Sequence, residues 1–246
     1  MLSQAIAREA SDIILLQQDL SVIHSGIIGG RRVFGNVIKY LRMAASSNIG
    51  NMLSVVGASI FLPFLPMLPI QILLNNLLYD CSEIGIPFDS VRPQATARPQ
   101  VWDMRGLIRF AGVMGPLSSV FDLLTFGGLL YLFHAGEEVF RTAWFIESMA
   151  TQILVIFVIR TAGRPWQDRP RWPLTLSSLA ALAVALVLPL SPLGSWLGFA
   201  PLSGTVLLGI AVLVITYLAC AEALKHWAMR PARGRHRHPH RPPLAI

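Results

Sequence analysis

The amino-acid sequence predicts an all-α protein that crosses a membrane several times, and three observations support this prediction. Of the 246 residues, 54% are hydrophobic and only 13% are charged, about half the charge of a typical soluble domain. Several apolar stretches have the roughly 20 residues that a helix needs to cross the hydrocarbon core of a bilayer. The Lys and Arg residues cluster in alternate connecting segments, as in membrane proteins with several spans.

Six stretches are predicted to cross the membrane. Five are long enough to do so as regular helices: about 43–62, 107–133, 140–159, 173–190 and 203–224. The sixth, 67–79, has only roughly 13 residues, which by itself is typical of a re-entrant or broken segment. It follows Pro63, Pro66 and Pro69, which favour a tight turn and an irregular helix start. We therefore expect residues 43–80 to form a helical hairpin.

Six spans place both chain termini on one side of the membrane, and the positive charges indicate which side. Of the 20 Lys and Arg residues, 18 lie in the segment 31–42 directly before the first span, in the even-numbered connections or in the tail, and Arg8 lies in the N-terminal segment. Arg141 alone lies in a connection on the opposite side. By the positive-inside rule the basic side is the cytoplasm. The net charge of +7 is therefore a topology signal, and no motif favours binding of nucleic acid. Membrane lipid is an expected partner.

The two ends of the chain differ in character from the membrane domain at 43–228. Residues 12–16, Asp-Ile-Ile-Leu-Leu, predict a short buried strand, and a helical pattern at 33–41 then runs without a breaker into the first span. About 40 residues are too few for a soluble core, so 1–42 should be the edge of a larger domain. The tail, 229–246, is rich in His and Arg, which favours a disordered segment near anionic lipid or, alternatively, a metal-binding segment.

Oxygen-bearing side chains recur within the predicted spans. Those of the first span have three- and four-residue spacing and so share one helical face: Ser47, Asn48, Asn51 and Ser54. Asn76 and Asp80 share a face of the second span, and Glu147 lies in the fourth. Ionisable groups are costly inside a bilayer and usually mark a functional site. Carboxylate and amide oxygens suit hard cations such as Mg²⁺ or Ca²⁺, so the pattern predicts a cation pathway.

Each of these residues also has a purely structural interpretation. Asn48 and Asn75 could hydrogen-bond neighbouring helices. Asp80 could be an ordinary carboxylate at the cytoplasmic end of a helix. Asp122, near the middle of the third span, could pair with a polar neighbour for structure alone. The chemistry of these groups does not name the ion.

A set of motifs from about residue 5 to 228 resembles the P-type ATPases. Two of them resemble the end of the phosphorylation domain and the stalk: Ser-Asp-Ile-Ile-Leu-Leu (11–16) and Gly-Arg-Arg-Val-Phe-Gly-Asn-Val-Ile-Lys-Tyr-Leu (30–41). Three are similar to the fifth and sixth transmembrane helices: Ala-Ser-Ser-Asn-Ile-Gly-Asn (45–51), Phe-Leu-Pro-Met-Leu-Pro (64–69) and Asn-Leu-Leu-Tyr-Asp (76–80). Three more resemble the bacterial magnesium-importing branch: Gly-Pro-Leu-Ser-Ser-Val-Phe-Asp-Leu-Leu-Thr-Phe (115–126), Trp-Phe-Ile-Glu-Ser (144–148) and Pro-Leu-Ser-Pro-Leu-Gly (189–194).

The resemblance implies a fold, a location and a cargo. The six spans would be the fifth to tenth helices of such a pump in the bacterial inner membrane, and residues 1–42 a strand-helix remnant of the phosphorylation domain. Mg²⁺ would be the transported ion. Four residues fall where P-type pumps place cation ligands: Asn51, Asn76, Asp80 and Glu147. Calcium pumps carry an acid where Asn51 stands and a threonine where Tyr79 stands, so both departures favour a magnesium-type site.

The sequence lacks the family's catalytic motifs, namely Asp-Lys-Thr-Gly, Thr-Gly-Glu and Gly-Asp-Gly. The first four transmembrane helices of the family have no counterpart either. We therefore expect ATP to act only through the missing domains, with the N-terminal half of a pump as a partner. Three hypotheses stay open: a part of a magnesium-importing ATPase that is inactive alone, a separate membrane subunit or regulator, and a passive transporter.

Overall fold

The computed structural model describes residues 9–11, 14, 19, 21–165 and 168–230, and this part of the chain contains helices and no strand. Its helices are α1 Ser21–Phe61, α2 Pro69–Glu83, α3 Pro93–Ala97, α4 Met104–Gly127, α5 Glu137–Ile159, α6 Trp172–Leu190, α7 Pro192–Trp196 and α8 Gly204–Ala228. A 3-10 turn, Ile86–Phe88, follows α2, and a π-helical turn, Gly128–Leu132, extends α4. The all-helical fold class is confirmed for the described residues.

Four segments are long and apolar enough to cross a membrane. They are Met104–Leu132, Glu137–Ile159, Trp172–Leu190 and Gly204–Ala228, and each begins and ends within a few residues of a predicted span. The hydroxyl of Ser203 and the carboxylate of Asp103 accept backbone N–H groups at the first turns of α8 and α4. Such caps satisfy donors that have no partner within the helix.

The first two predicted spans correspond to the end of α1 and to α2, but neither meets the same criteria. Helix α2 has 15 residues and so rises about 22 Å, less than the roughly 30 Å of a bilayer core. It is one continuous α-helix that starts at Pro69, the position where proline costs no hydrogen bond. The expected irregular start therefore does not occur. The crossing of these two helices stays a prediction.

Helix α1 begins earlier than the sequence pattern at 33–41 predicts. It is continuous over 41 residues, or about 60 Å, twice the thickness of a bilayer core. Asp19 accepts hydrogen bonds from the backbone N–H and the hydroxyl of Ser21 and so starts the helix. The helix then continues without a break through Gly26, Gly29 and Gly30. Most of the strand predicted at 12–16 lies outside the described residues, as does the tail from residue 231.

Helix α5 is the centre of the bundle. In its most apolar stretch 83% of the residues are buried, against 28% for both α6 and α8. Its fully buried side chains include Phe140, Phe145, Met149 and Ile153. Helices α4, α6 and α8 surround it and expose Leu and Val side chains on their outer faces. Polar groups on α5 are therefore held inside the protein and not in lipid.

Small residues bring α1 and α4 close together. A Cβ atom added to Gly115 would lie 2.7 Å from Cγ2 of Ile49, and one added to Gly50 would lie 3.2 Å from the carbonyl oxygen of Gly115. The Ser119 hydroxyl uses this proximity to donate a 2.9 Å hydrogen bond to the Gly50 carbonyl. Small residues at such a crossing are typical of membrane helix pairs. The contact fixes α1, and with it Asn51, against the rest of the bundle.

Candidate cation site

A cavity of about 330 Å³ lies between α1, α2 and α5. Its polar lining consists of amide and hydroxyl groups from these three helices: Asn48, Asn51, Asn75, Asn76 and Ser148, with the indole of Trp144. The remaining walls are apolar and include Met52, Val55 and Ile72. We call this cavity the amide cleft. It brings together two of the predicted site residues, Asn51 and Asn76.

A chain of hydrogen bonds joins the amide cleft to α5, with Gln152 at its centre. The Gln152 side chain exchanges hydrogen bonds with the amide of Asn51, at 3.3 and 3.5 Å. Its Oε1 accepts from the Ser47 hydroxyl at 2.9 Å, and its Nε2 donates to the hydroxyl of Ser148. Ser148 in turn accepts from Asn75 Nδ2 at 3.5 Å. The cleft therefore has its polar atoms oriented by a buried network, which such sites need to be specific.

Glu147 is predicted as a ligand and lies one residue from this network. It is 1% exposed, and its carboxyl group interacts with that of Asp122 on α4. Asp122 accepts hydrogen bonds from the Ser54 hydroxyl at 2.5 Å and from the Trp144 indole at 2.9 Å. Glu147 Oε2 has no hydrogen-bond partner. Two buried carboxyl groups this close together are costly unless a positive charge compensates them, so the pair is a candidate for cation binding.

Asp80 does not line the amide cleft. It is exposed and faces a second cavity of about 500 Å³, between the N-terminal half of α1 and the end of α2. Asn36 and Glu83 line the same cavity. The structure thus places Asn51 and Asn76 in one cavity and Asp80 in another, while Glu147 lies beside Asp122 in the interior. Neither of these two cavities is lined by all four predicted ligands.

Ion pairs lock the helix ends on the side that the charge distribution assigns to the cytoplasm. The carboxylate of Asp89, after α2, is completely buried and pairs with Lys39 of α1 at 2.7 Å and Arg160 at the end of α5 at 2.8 Å. Burial raises the pKa of Asp89, but hydrogen bonds from Arg160 and Lys39 outweigh it and hold the pKa below its ordinary value. We call these three residues the Asp89 clamp. It sets the spacing between α1, α2 and α5.

The sequence pattern did not place Gln152 among the predicted ligands. It also did not identify Asn36, Glu83 or the Asp89 clamp. Asn36 and Asp89 are 53 residues apart in the sequence. Helical periodicity predicts neighbours only within one helix, so it could not predict their contact. Among the described residues no group of three or more His, Cys, Asp or Glu side chains forms a metal-binding cluster. The histidines of the tail lie outside the described residues.

Comparison with known proteins identifies related sequences over most of the chain. Residues 64–227 match the family described as "Cation transporting ATPase, C-terminus". A protein named magnesium-transporting ATPase, P-type 1, from Salmonella typhimurium strain LT2 is 43% identical over 230 residues. The protein of the same name from Escherichia coli strain K12 is 42% identical over the same length. A calcium-transporting ATPase from Bacillus subtilis strain 168 is 24% identical over 228 residues.

The matches cover most of this chain but only a small part of each relative. The two magnesium-transporting relatives match 92% of this chain but only 26% of their own length, and the calcium-transporting relative matches 87% of this chain and 25% of its own. The chain therefore spans about a quarter of the length of the curated relatives it matches.

Proposed function

The chain belongs to the cation-transporting ATPase C-terminus family, and we propose that it forms the C-terminal transmembrane part of a P-type pump that imports Mg²⁺ across the bacterial inner membrane. In this proposal six helices cross the membrane, both termini are cytoplasmic, residues 1–42 continue into a phosphorylation domain, and 229–246 form a basic tail. ATP is hydrolysed by domains outside this chain. The N-terminal part of the pump is then the main protein partner, with lipid around the outer helices.

The amide cleft is the observation that carries the proposal. Its polar lining consists of amide groups, one hydroxyl and the indole of Trp144, and the amide and hydroxyl oxygens are the atoms that can bind an ion. Glu147 is the residue next to Ser148 of the lining, and Asp80 lies one helical turn from Asn76 along α2. Such donors suit a hard cation, and Mg²⁺ sheds its water reluctantly. A neutral lining therefore favours an ion that keeps part of its hydration shell and contacts Asn51 and Asn76 through water. The carboxyl group of Glu147, beside the cleft, supplies negative charge toward the ion.

The position of the cleft also supports a shared site. Asn48 and Asn76 are exposed, whereas Ser148 and Asn75 are buried, so one wall of the cleft is open. An ion at this position would be surrounded by protein only if another element covered the open wall. The chain alone then contributes part of the site and is inactive in transport by itself.

A chimera tests the proposal. The C-terminal quarter of the Salmonella typhimurium relative is replaced by this chain and expressed in a strain whose growth is limited by Mg²⁺ uptake. We expect the chimera to restore growth at low Mg²⁺ and to show Mg²⁺-dependent ATP hydrolysis in membranes. A chimera that is present in the membrane and hydrolyses ATP without transporting Mg²⁺ would contradict the proposal. An isolated chain that binds the intact relative and changes its turnover would instead support a regulator.

A further inference from the structure

A third cavity, of about 390 Å³, lies between α1, the loop after α2 and the end of α5. Its described lining is strongly basic, and we call it the basic cavity. The lining contains one carboxylate, that of Asp168, against four cations: Lys39, Arg42, Arg92 and Arg160. A second carboxylate, that of Asp89, is buried and pairs with two of these cations. Two positive charges of the basic cavity are therefore not balanced by these carboxylates.

Arg42 is the cation of the basic cavity that has no carboxylate partner. None of the ion pairs in the described part of the chain includes it. It donates no hydrogen bond to a described residue, and none of its nitrogens is enclosed without a partner, so its N–H groups are accessible from the cavity. Its guanidinium carbon lies 5.9 Å from the ring centroid of Phe110, a cation–π contact that orients the side chain and uses none of its donors. Asp103 and Arg109 both act on Arg42 electrostatically, and their opposite charges offset each other in part.

Arg92 lines the same cavity and is held in position by the loop between α5 and α6. Its Nε donates a 2.7 Å hydrogen bond to the carboxylate of Asp168, and its Nη2 donates to the same oxygen. The guanidinium packs against Gly163, where an added Cβ atom would clash with Nη2. These contacts leave it further N–H donors for a ligand. A side chain that the protein already holds in place loses little freedom when it binds.

We propose that the basic cavity binds a phosphate group, which Arg42 and Arg92 contact directly. A guanidinium matches two phosphate oxygens with parallel hydrogen bonds and stays charged in proteins. A phosphate group carries about one negative charge as a diester and nearly two as a monoester near neutral pH, so it reduces or removes the excess positive charge. The volume of about 390 Å³ falls within the roughly 300–1,000 Å³ of small-molecule sites.

The basic cavity lies where either of two phosphate sources can reach it. Arg42 directly precedes the first predicted span, on the side that the charge distribution assigns to the cytoplasm. The headgroup phosphates of anionic lipids lie at this level, and basic pockets between helix ends bind them. Arg92 and Ala162 in the lining are exposed, so a soluble phosphate can enter as well. The site is separate from the amide cleft and does not depend on which ion the chain carries.

Two probes distinguish these sources, both applied to the purified chain in a neutral detergent without Mg²⁺. Native mass spectrometry counts bound phosphatidylglycerol, with phosphatidylcholine as the comparison, because the ammonium group of the latter is repelled by the excess positive charge. Equilibrium dialysis measures binding of radiolabelled inorganic phosphate. We expect saturable binding of at least one probe. Binding of phosphatidylglycerol alone identifies a lipid headgroup as the ligand, and binding of inorganic phosphate alone identifies a soluble phosphate.

A matched pair of variants tests the role of Arg42. Arg42→Gln removes the unpaired charge and should lower the affinity for the bound probe roughly tenfold or more, as expected for the loss of a charge-assisted hydrogen bond. Arg32→Gln makes the same change on an exposed arginine of α1 that does not line the basic cavity, and it should leave the affinity unchanged. The inference is wrong if the unaltered chain binds neither probe, or if Arg42→Gln binds as tightly as Arg32→Gln.

A second pair of variants adds a charge and leaves the cations of the cavity in place. Ala162→Glu puts a carboxylate at the exposed edge of the cavity and should weaken binding by a similar factor, because it repels the phosphate group. Ala162→Gln has nearly the same size without the charge and should bind much more tightly than Ala162→Glu. Equal affinity of these two variants would also overturn the inference. Helix content from circular dichroism confirms that each variant is folded before its affinity is compared.

Discussion

Replacing Asp89 by asparagine should strongly destabilise the chain, because the Asp89 clamp is buried. The carboxylate is inaccessible to solvent and the guanidinium of Arg160 is 2% exposed. Arg160 binds the carboxylate with two nitrogens, Nη2 at 2.8 Å and Nε at 3.1 Å, and Lys39 Nζ approaches it to 2.7 Å. Asparagine keeps the size of the side chain but leaves two cations near each other without their anion.

The expected magnitude follows from this burial. Removing one partner of a buried ion pair costs about 3–5 kcal/mol, which shifts the unfolding equilibrium by roughly 150- to 5,000-fold. The folded pKa of Asp89 lies below its ordinary value of 3.8, so its stabilisation is complete above that value and is lost only as the pH falls through the folded pKa. The free energy of unfolding should therefore differ between Asp89→Asn and the unaltered chain by a constant amount from about pH 5 to about pH 8.

Unfolding by sodium dodecyl sulfate in mixed micelles, followed by circular dichroism, measures this difference. Arg92→Gln is the matched control, because the ion pair of Arg92 with Asp168 is partly exposed, at 42% and 24%, and such a pair contributes about 0–1 kcal/mol. If Asp89→Asn costs no more than Arg92→Gln, the clamp does not stabilise the fold and our reasoning is wrong. If the loss of unfolding free energy in Asp89→Asn changes strongly between about pH 5 and about pH 8, the reasoning is also contradicted.

Three further predictions test the topology, the helix packing and the cation site. In a cysteine-free background, a cysteine at Glu137 should react with a periplasmic reagent and one at Val101 should not, since the positive charges place them on opposite sides; the reverse pattern would refute the topology. Gly115→Val should weaken the α1–α4 contact by about 1–3 kcal/mol through overpacking, because the new Cβ would lie 2.7 Å from a side-chain carbon of α1; unchanged stability in the same detergent titration would contradict this. In the chimera, Asp80→Asn should lower Mg²⁺-stimulated turnover at least tenfold at normal expression, whereas Asp122→Asn should mainly reduce assembly; if Asp80→Asn transports normally and Asp122→Asn loses ion dependence, the site lies on another helix.

The cation-site residues show how far a sequence pattern reaches. Four-residue spacing correctly groups Asn76 and Asp80 on one side of α2, because the rotation between them is only about 40°. The same spacing also separates them by about 6 Å along the helix. That distance is enough for Asn76 to meet the amide cleft and for Asp80 to meet the cavity of Glu83. Periodicity describes one helix and contains no information on which neighbour each turn contacts.

The four spans from α4 to α8 could be predicted within a few residues, since the length and apolarity of a membrane helix are local properties of the sequence. The clustering of Lys and Arg in certain connecting segments and in the tail is likewise visible in the sequence alone. Contacts between distant residues could not be predicted in this way. Gln152 meets Asn51 across 101 positions, and Asn36 meets the loop at Asp89 across 53. Only the packing of α1 against α4 and α5 decides these contacts, because it sets the height and rotation at which each side chain enters the interior.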